Sequence, residues 1–561
     1  MTESPHQGLS SSPPLAWRDS LLALLVSTAT ALAIVAIFAV RGNPSGHDFE
    51  FHAASWLEVA GQWRQGILYP RWAEWANWGF GEPRFVFYPP LSWMLGAALG
   101  IVVGWKLVAG AFVVVAQTVA GVCMFALARR TLPRRGALFA AFCYAGNPYA
   151  LLVVFMRSDF AEQLASAFLP LLLNCLEELL CAQEWKRLRR CLVLFSTVFA
   201  AIWLCNAPAG VLASYSAALL FAWHAIRVRS WKPLVRGAAG FALGFGLCAF
   251  YVLPAAYEQR WVRIGEALAS GLRPSDNFLY TLINDPEHNL FNWIASTTAV
   301  AMIVLAGAAG VAAYQHAARS EQKELWQRMM LLSAAASVLM LSVTAPLWKL
   351  LPKLAFLQFP WRWMIVLAVP LAYFLGASSR GRLGWIWIVV IAAAIGTGGT
   401  TFVQQTWWDT EDIPVLQEAI ASGAGYEGVD EYDPAGDDHS ELPQGAPRAR
   451  AVSSGGEVAK SVRLHIERWG PEEKLLRVSA REPLRVELRL LRYPAWRVMV
   501  DGKEVFPETA EKTAQMVVPL PAGESEIAAR FTRTTDRWLG LIVSGLSALL
   551  SAALLGASSR E

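Results

Sequence analysis

Charge is scarce in this chain of 561 residues: Asp, Glu, Lys and Arg make up 16% of it, against 55% hydrophobic residues. Soluble domains carry about 25% charged residues, so a water-soluble globule is excluded. Apolar runs near 20 residues long recur instead, the mark of a polytopic helical membrane protein. The net charge of +4 is spread over short loops and leaves no nucleic-acid surface. Cysteine is scarce and one-sided. Cys123, Cys143, Cys175, Cys181, Cys191, Cys205 and Cys248 all lie in the apolar half, with no CxxC pair and no His/Cys cluster. Neither a disulfide framework nor a zinc site follows, and the thiols read as packing residues. No Walker loop, GxSxG elbow or HExxH motif is present. No internal repeat is visible, which argues against a transporter built from two similar halves.

What is present is a regular succession of apolar runs and basic clusters. Residues 1–19 read as a disordered cytoplasmic tail, and Ser20–Val40, too long for a signal peptide core, reads as a retained helix. Basic clusters follow at Arg129–Arg135, Lys186–Arg190 and Arg227–Arg236, then at Arg319–Arg328 and Arg380/Arg382. Pairs of runs lie between them: 136–156 with 162–181, 191–206 with 209–226, 237–256 with 294–314, 329–350 with 361–379, and 384–402 with 538–556. If each run crosses once, every cluster falls on one side, which the positive-inside rule makes cytoplasmic. Leu91–Ala128 would be about 57 Å long as one helix at 1.5 Å per residue. We read it as a short helix dipping in from Leu91, then one crossing near 107–128. The expected fold is mainly α, with about 12 crossings in 20–402 and 538–556 and both ends, including 557–561, cytoplasmic.

That topology gathers several segments on the outer face. The largest is the loop 41–90, where Asp48, Glu50, His52, Glu58, Glu74 and Glu82 share space with Trp56, Trp63, Trp72, Trp75 and Trp78. A plain connector is short and polar. This one is expected to form one or two short helices along the membrane surface, with its tryptophans at headgroup depth. Asp48 and His52, four apart, fall on one face of such a helix. Asp48 reads either as a helix-capping carboxylate or as a general base or metal ligand. Arg157, Asp159 and Glu162, in MRSDFAEQ, read either as a cap with an interfacial ion pair or as a phosphate-and-base kit. Arg362 lies between two tryptophans in QFPWRW, a pattern that taken alone favours an interfacial belt over a phosphate site. His47, His52 and His288 are each weak signals.

An insertion at 403–537 is expected outside. Its first part, Asp409 to Glu441, holds eleven acidic residues and no Lys or Arg, and reads as a mobile acidic loop in preference to a calcium site. From Arg463 to 535 short alternating runs, with Asp501-Gly502 as a hairpin turn and 521–524 as another, read as a small antiparallel β-sandwich. It is expected to sit near the first loop and to carry no catalytic group.

The motifs resemble the GT-C superfamily of membrane glycosyltransferases: D-x-x-x-H at Asp48–His52, G-x-x-Y-P-R-W at Gly66–Trp72, and F-x-x-Y-P-P-L at Phe85–Leu91. Within it, they are similar to the bacterial membrane proteins described as 6-pyruvoyl-tetrahydropterin synthase-related, with YfhO-like proteins as neighbours. RSDFAEQLASAFLPLLL from Arg157, the Asn206-Ala-Pro turn, FPWRW and RYPAWRVMVDGKEV from Arg492 extend the resemblance over nearly the whole chain. Pterin synthases use a three-histidine zinc site; here no H-x-H pair exists, so that chemistry is rejected. The resemblance implies a polyprenyl-phosphate-linked sugar as donor and a cell-envelope glycan, lipid or protein as acceptor, at the outer face of the bacterial cytoplasmic membrane. It implies Asp48, Asp159, Glu162 and His52 as catalytic residues, and Arg71, Tyr88, Arg157, Asn206 and Arg362 as substrate-binding ones. A divalent cation, Mg or Mn, at Asp48 and Asp159 stays open, because the second turn reads R-S-D-x-x-E where a D-x-D would stand. A non-catalytic scaffold binding envelope polymer, or a lipid or sugar transporter, are the alternative readings.

Overall fold

The structure, a computed structural model, describes residues 17–315, 320–379, 381–435, 442–453, 458–459 and 462–556. Most of the expected tails, together with Arg319 and Arg380, lie outside the described residues. Residues 17–19 do not belong to a tail: the first helix already begins at Trp17 and runs to Val35.

Among the described residues, ten helices are long and apolar enough to cross a membrane, or up to twelve if each of two bent pairs is one span. Both bends fall where single spans are expected. Lys232–Leu247 and Ala249–Trp261 meet at 79°, and Gln322–Leu339 and Ser342–Leu350 meet at 87°. Pro254 lies in the second arm of the first pair and Pro346 opens the short helix Ala345–Leu350 of the other, so both breaks have a proline close by. The stretch 91–128 divides as its length demands, into the short helix Pro90–Val103 and the span Val108–Ala128. Pro360–Ser378 is almost wholly buried and forms the strut of the bundle, whereas Gly381–Gln405 and Thr535–Gly556 leave most of their apolar surface uncovered.

The first loop is folded around the helix Phe49–Arg64. Two of its five tryptophans do not lie at headgroup depth as expected: Trp56 and Trp72 are fully buried in protein, while Trp63, Trp75 and Trp78 are half-buried. Trp56 stacks on Phe112 at 5.5 Å and lies so close to Gly96 that a Cβ there would meet the indole at 2.1 Å. Glycine at 96 is thus what lets the short helix Pro90–Val103 approach the first-loop helix. Trp72 points the other way, into the core of the carboxyl-terminal domain, edge-on to Trp496 at 5.6 Å.

That domain contains two antiparallel sheets. One has four strands in the order Ala449–Val452, Leu484–Leu491, Gln515–Leu520, Glu508–Thr509. The other has five: Arg463–Trp469, Glu473–Ala480, Gly523–Phe531, Trp496–Val500 and Lys503–Val505. Alternating apolar side chains such as Leu476, Val478, Val486, Leu488, Val498 and Ile527 fill the space between them. Asp501-Gly502, both at positive φ, closes the hairpin Val500–Lys503. Residues 521–522 instead carry the chain from one sheet to the other.

The acidic stretch from Asp409 is not a mobile loop throughout. It forms the helix Asp412–Ser422 and then buries Tyr426, Tyr432 and Asp433 against the first loop. Apolar residues punctuate the charge run, and together with Asp433, which accepts from Asn77 at 2.8 Å, they set its course. Glu74–Lys474 (2.9 Å, both buried) and Arg71–Glu472 (2.9 Å) join the loop to the β domain. Glu258 on the bent pair accepts from Arg537 of the last span at 2.6 Å and from the Tyr493 hydroxyl, so the membrane helices and the sheets share one clamp.

Candidate functional site

The site begins at a corner. The helix Arg134–Ala145 breaks at Gly146, restarts at Pro148 under an Asn147 cap (Oδ1 accepting from Ala150 N at 3.0 Å), and ends in a π-helical turn, Val153–Arg157. π turns widen a helix and often occur at functional positions. Ser158, at φ +55°, reverses the chain, and Asp159 caps the returning helix Phe160–Cys181, its Oδ1 accepting from Glu162 N at 2.9 Å. The first loop docks on this corner by backbone contacts. Asp48 N donates to Arg157 O at 2.8 Å, Gly46 N to Ser158 Oγ at 3.0 Å, and Ser158 Oγ to Pro44 O at 2.8 Å. A Cβ on Gly46 would meet the Arg157 backbone at 2.5 Å, so only glycine fits there.

Three carboxylates from two segments then meet two arginines. Arg157 donates to Asp48 Oδ2 at 2.9 Å, to Asp159 Oδ2 at 3.2 Å and to Glu162 Oε2 at 2.9 Å. Arg362 donates to Glu162 Oε2 at 2.8 Å and reaches Asp159 Oδ2 at 3.5 Å, while its other nitrogen is held by Leu357 O and the Gln358 side chain. The network leaves one net negative charge, three carboxylates against two guanidiniums. Arg157, Asp159, Glu162 and Arg362 are buried; Asp48, with 36% of its side chain exposed, is the one open to solvent. Burial alone would raise the Asp159 carboxyl, yet the guanidinium of Arg157, the imidazole of His52 and Arg362 hold it well below the usual carboxylate range. His52 Nε2 lies 3.7 Å from Asp159 Oδ1 and 3.5 Å from the Tyr88 hydroxyl. Burial, with Asp159 and Asp48 nearby, keeps the Tyr88 phenol protonated far above neutral pH.

These contacts decide several open readings. Asp48 precedes a helix but makes no side-chain cap; its carboxylate is turned to Arg157. Asp159 both caps and pairs. Arg362 does not belong to an interfacial belt, because it and its flanking Trp361 and Trp363 are buried. Phe359 and Trp361 stack at 4.7 Å and back both arginines, with Arg157 lying 5.3 Å from the Trp361 ring and Arg362 4.9 Å from that of Phe359. Two expected substrate contacts fall elsewhere. Arg71 pairs with Glu472 over the Phe531 ring, and the Asn206 side chain caps Ala207–Arg227, accepting from Ala209 N at 2.9 Å.

The sequence gives no hint of two further members. Tyr149 donates its hydroxyl to Glu162 from inside an apolar run. Glu431, hidden in the acidic stretch, is half-buried beside Tyr432, whose ring stacks on Phe87 at 5.6 Å. Burial, with Glu82, Asp48 and Asp430 nearby and Arg362 opposing, pushes the Glu431 carboxyl up to about 7.

The implied divalent cation does not fit these donors. Asp48, Asp159 and Glu162 are each turned to a guanidinium, and among the described residues no group of three or more His, Cys, Asp or Glu side chains is placed to hold a metal ion.

The family model of the 6-pyruvoyl-tetrahydropterin synthase related domain, a membrane protein, matches residues 85–404, more than half of the chain. The chain belongs to that family. Its segment 85–404 includes the π turn, the Arg157–Glu162 corner and FPWRW, while Asp48 and the sheets lie outside it. No curated protein matches the chain. Among solved structures, it is similar to the oligosaccharyltransferase of Archaeoglobus fulgidus in its apo form, at 15% identity and a TM-score of 0.36, over 74% of this chain and 55% of that one. The same enzyme with zinc and sulfate gives 14%, 0.38, 72% and 53%. The archaeal oligosaccharyltransferase AglB from Archaeoglobus fulgidus, in complex with an inhibitory peptide and a dolichol-phosphate, gives 14%, 0.36, 74% and 57%. The chain thus spans little more than half the length of these structures.

Proposed function

We propose that this member of the 6-pyruvoyl-tetrahydropterin synthase related family is a glycosyltransferase that takes its sugar from a polyprenyl phosphate and passes it to a cell-envelope acceptor. The observation that supports this reading is the Asp48–Arg157–Asp159–Glu162–Arg362 network, a charged cluster at one end of an apolar bundle with one carboxylate open to solvent. Ionisable groups at such a depth are costly and are retained for function. In this reading the basic clusters face the cytoplasm and the network and sheets face outward, at the bacterial cytoplasmic membrane.

The reaction needs little more than this. The acceptor's hydroxyl oxygen bonds to the anomeric carbon while the bond from that carbon to the phosphate oxygen breaks. The electron pair leaves with the lipid phosphate, whose growing charge the guanidiniums stabilise. The acceptor's proton passes to Asp48. At rest, Arg157 Nη2 is shared between Asp48 and Asp159. A donor phosphate competing for that nitrogen releases Asp48 and makes it a better base, so donor binding prepares the proton acceptor. His52 and Tyr88 hold the Asp159 side of the site in place.

The test is the purified full-length protein with a panel of polyprenyl-phosphate sugars, scored for release to water or transfer. Turnover of at least one donor by the wild type is expected. A panel in which none is bound or turned over refutes the proposal.

A further inference from the structure

We propose that Arg157 is a built-in replacement for a divalent cation, so that the carboxylates of this site are cross-linked by an internal guanidinium and the site takes no metal. The inference rests on reading the cluster as the transfer site.

Position is the first argument. Arg157 stands two residues before Asp159, so a guanidinium occupies the place where a D-x-D pair would have its first carboxylate. Geometry is the second. The guanidinium touches Asp48, Asp159 and Glu162 at 2.9, 3.2 and 2.9 Å, drawing carboxylates from two segments together as a shared ion would. Charge is the third. Arg157 and Arg362 together supply two positive charges, the charge of Mg²⁺ or Mn²⁺, to the same Asp159 and Glu162. The last is immobility. Arg157 is buried, backed by Phe359 and Trp361, and its backbone carbonyl accepts from Asp48 N. A metal would have to expel a buried arginine and leave it without its carboxylates, which is strongly unfavourable. Mg²⁺ also demands near-octahedral oxygen ligands, and here Asp48 Oδ2, both Asp159 oxygens and Glu162 Oε2 already accept from N–H groups.

The experiment measures Mn²⁺ binding to the full-length protein in detergent by electron paramagnetic resonance, with thermal unfolding in Mn²⁺ and in EDTA alongside. Neither measurement needs turnover, so failure of this inference and failure of the transferase reading are separable. The wild type is expected to show no saturable Mn²⁺ binding and the same unfolding midpoint in both solutions. Arg157→Ala removes the internal cation, frees Asp48 and leaves Asp159 and Glu162 to Arg362 alone, so saturable Mn²⁺ binding should appear, and adding Asp48→Asn should weaken or abolish it. Arg157→Lys keeps a positive charge and should gain none. Saturable binding to the wild type that Asp48→Asn abolishes overturns the inference, as does a folded Arg157→Ala protein that gains no binding. If Arg157→Ala does not fold, the wild-type measurement decides alone.

Discussion

Asp48 and Glu162 sit at opposite ends of one ion network, and their amides should fail in opposite ways. Asp48→Asn keeps the shape of the side chain and removes its charge. Arg157 still has Asp159 and Glu162, and Asp48 is partly in water, so the expected loss of stability is about 0–1 kcal/mol, as for exposed pairs. Turnover should fall roughly 10²–10⁴-fold, the usual worth of a general base. Glu162→Gln acts where water does not reach. Glu162 accepts from Arg157, Arg362 and Tyr149, and its loss leaves the buried Arg362 with only the 3.5 Å contact to Asp159 as a charge partner. Breaking a buried pair this way costs roughly 3–5 kcal/mol, toward the lower end here because the amide keeps one oxygen acceptor. Thermal unfolding in detergent and turnover of a polyprenyl-phosphate sugar, measured on both proteins, separate the cases. An Asp48→Asn protein as unstable as Glu162→Gln would make Asp48 a structural residue. One that is stable and fully active would remove it from the chemistry.

Three more outcomes follow from other parts of the molecule. Burial, with backbone N–H groups opposing and Glu74 adding, pushes the Glu58 carboxyl up to about 7, so the folded state holds a proton that the unfolded state gives up near 4.5. Stability should therefore fall as pH rises from 5 to 7, with Glu58 contributing on the order of a few kcal/mol, and level off above that; Glu58→Gln should reduce this slope in unfolding midpoints taken across pH, leaving the part that belongs to Glu431, and an unchanged slope would assign the proton elsewhere. For Glu431, Asp48→Asn removes a like charge and should lower its proton affinity, whereas Arg362→Gln should raise it. Infrared difference spectra between pH 5 and 9, with Glu431→Gln subtracted to remove Glu58, show whether the carboxyl band moves in those directions. Cysteines at Leu68 and Lys503 should label from outside intact cells and one at Gln183 should not, against a background kept low because the seven native thiols are buried; reversed labelling would invert the proposed orientation.

The helices were legible because hydropathy over 20 residues is a local property, and the basic clusters marked their ends. The corner at Arg157–Glu162 and the first loop were legible for the same reason: charge at the edge of an apolar run stands out without knowledge of its partners. Partners are another matter. Arg362 between two tryptophans has the local pattern of a headgroup belt, and only Glu162, two hundred residues away along the chain, shows it to be a buried ion. The first-loop tryptophans mislead likewise, since the surfaces that cover Trp56 and Trp72, Phe112 and the β domain, come from distant segments. Arg71 lies within the run Gly66–Trp72, and its guanidinium is paired with Glu472, so that run makes a joint between loop and β domain that no local pattern reveals. The acidic stretch shows the limit most clearly. A run of carboxylates reads as solvated because each would repel the next, but Val429 N bonded to Glu82, Asn77 bonded to Asp433 and Tyr432 stacked on Phe87 bring one turn of it down onto the first loop. Glu431 is carried with that turn into the field of Asp48 and Arg362. The insertion therefore joins the electrostatics of the site through three contacts, none of which is local in the chain. The family segment 85–404 includes neither Asp48 nor Glu431, so two acids of the site are contributed from outside it.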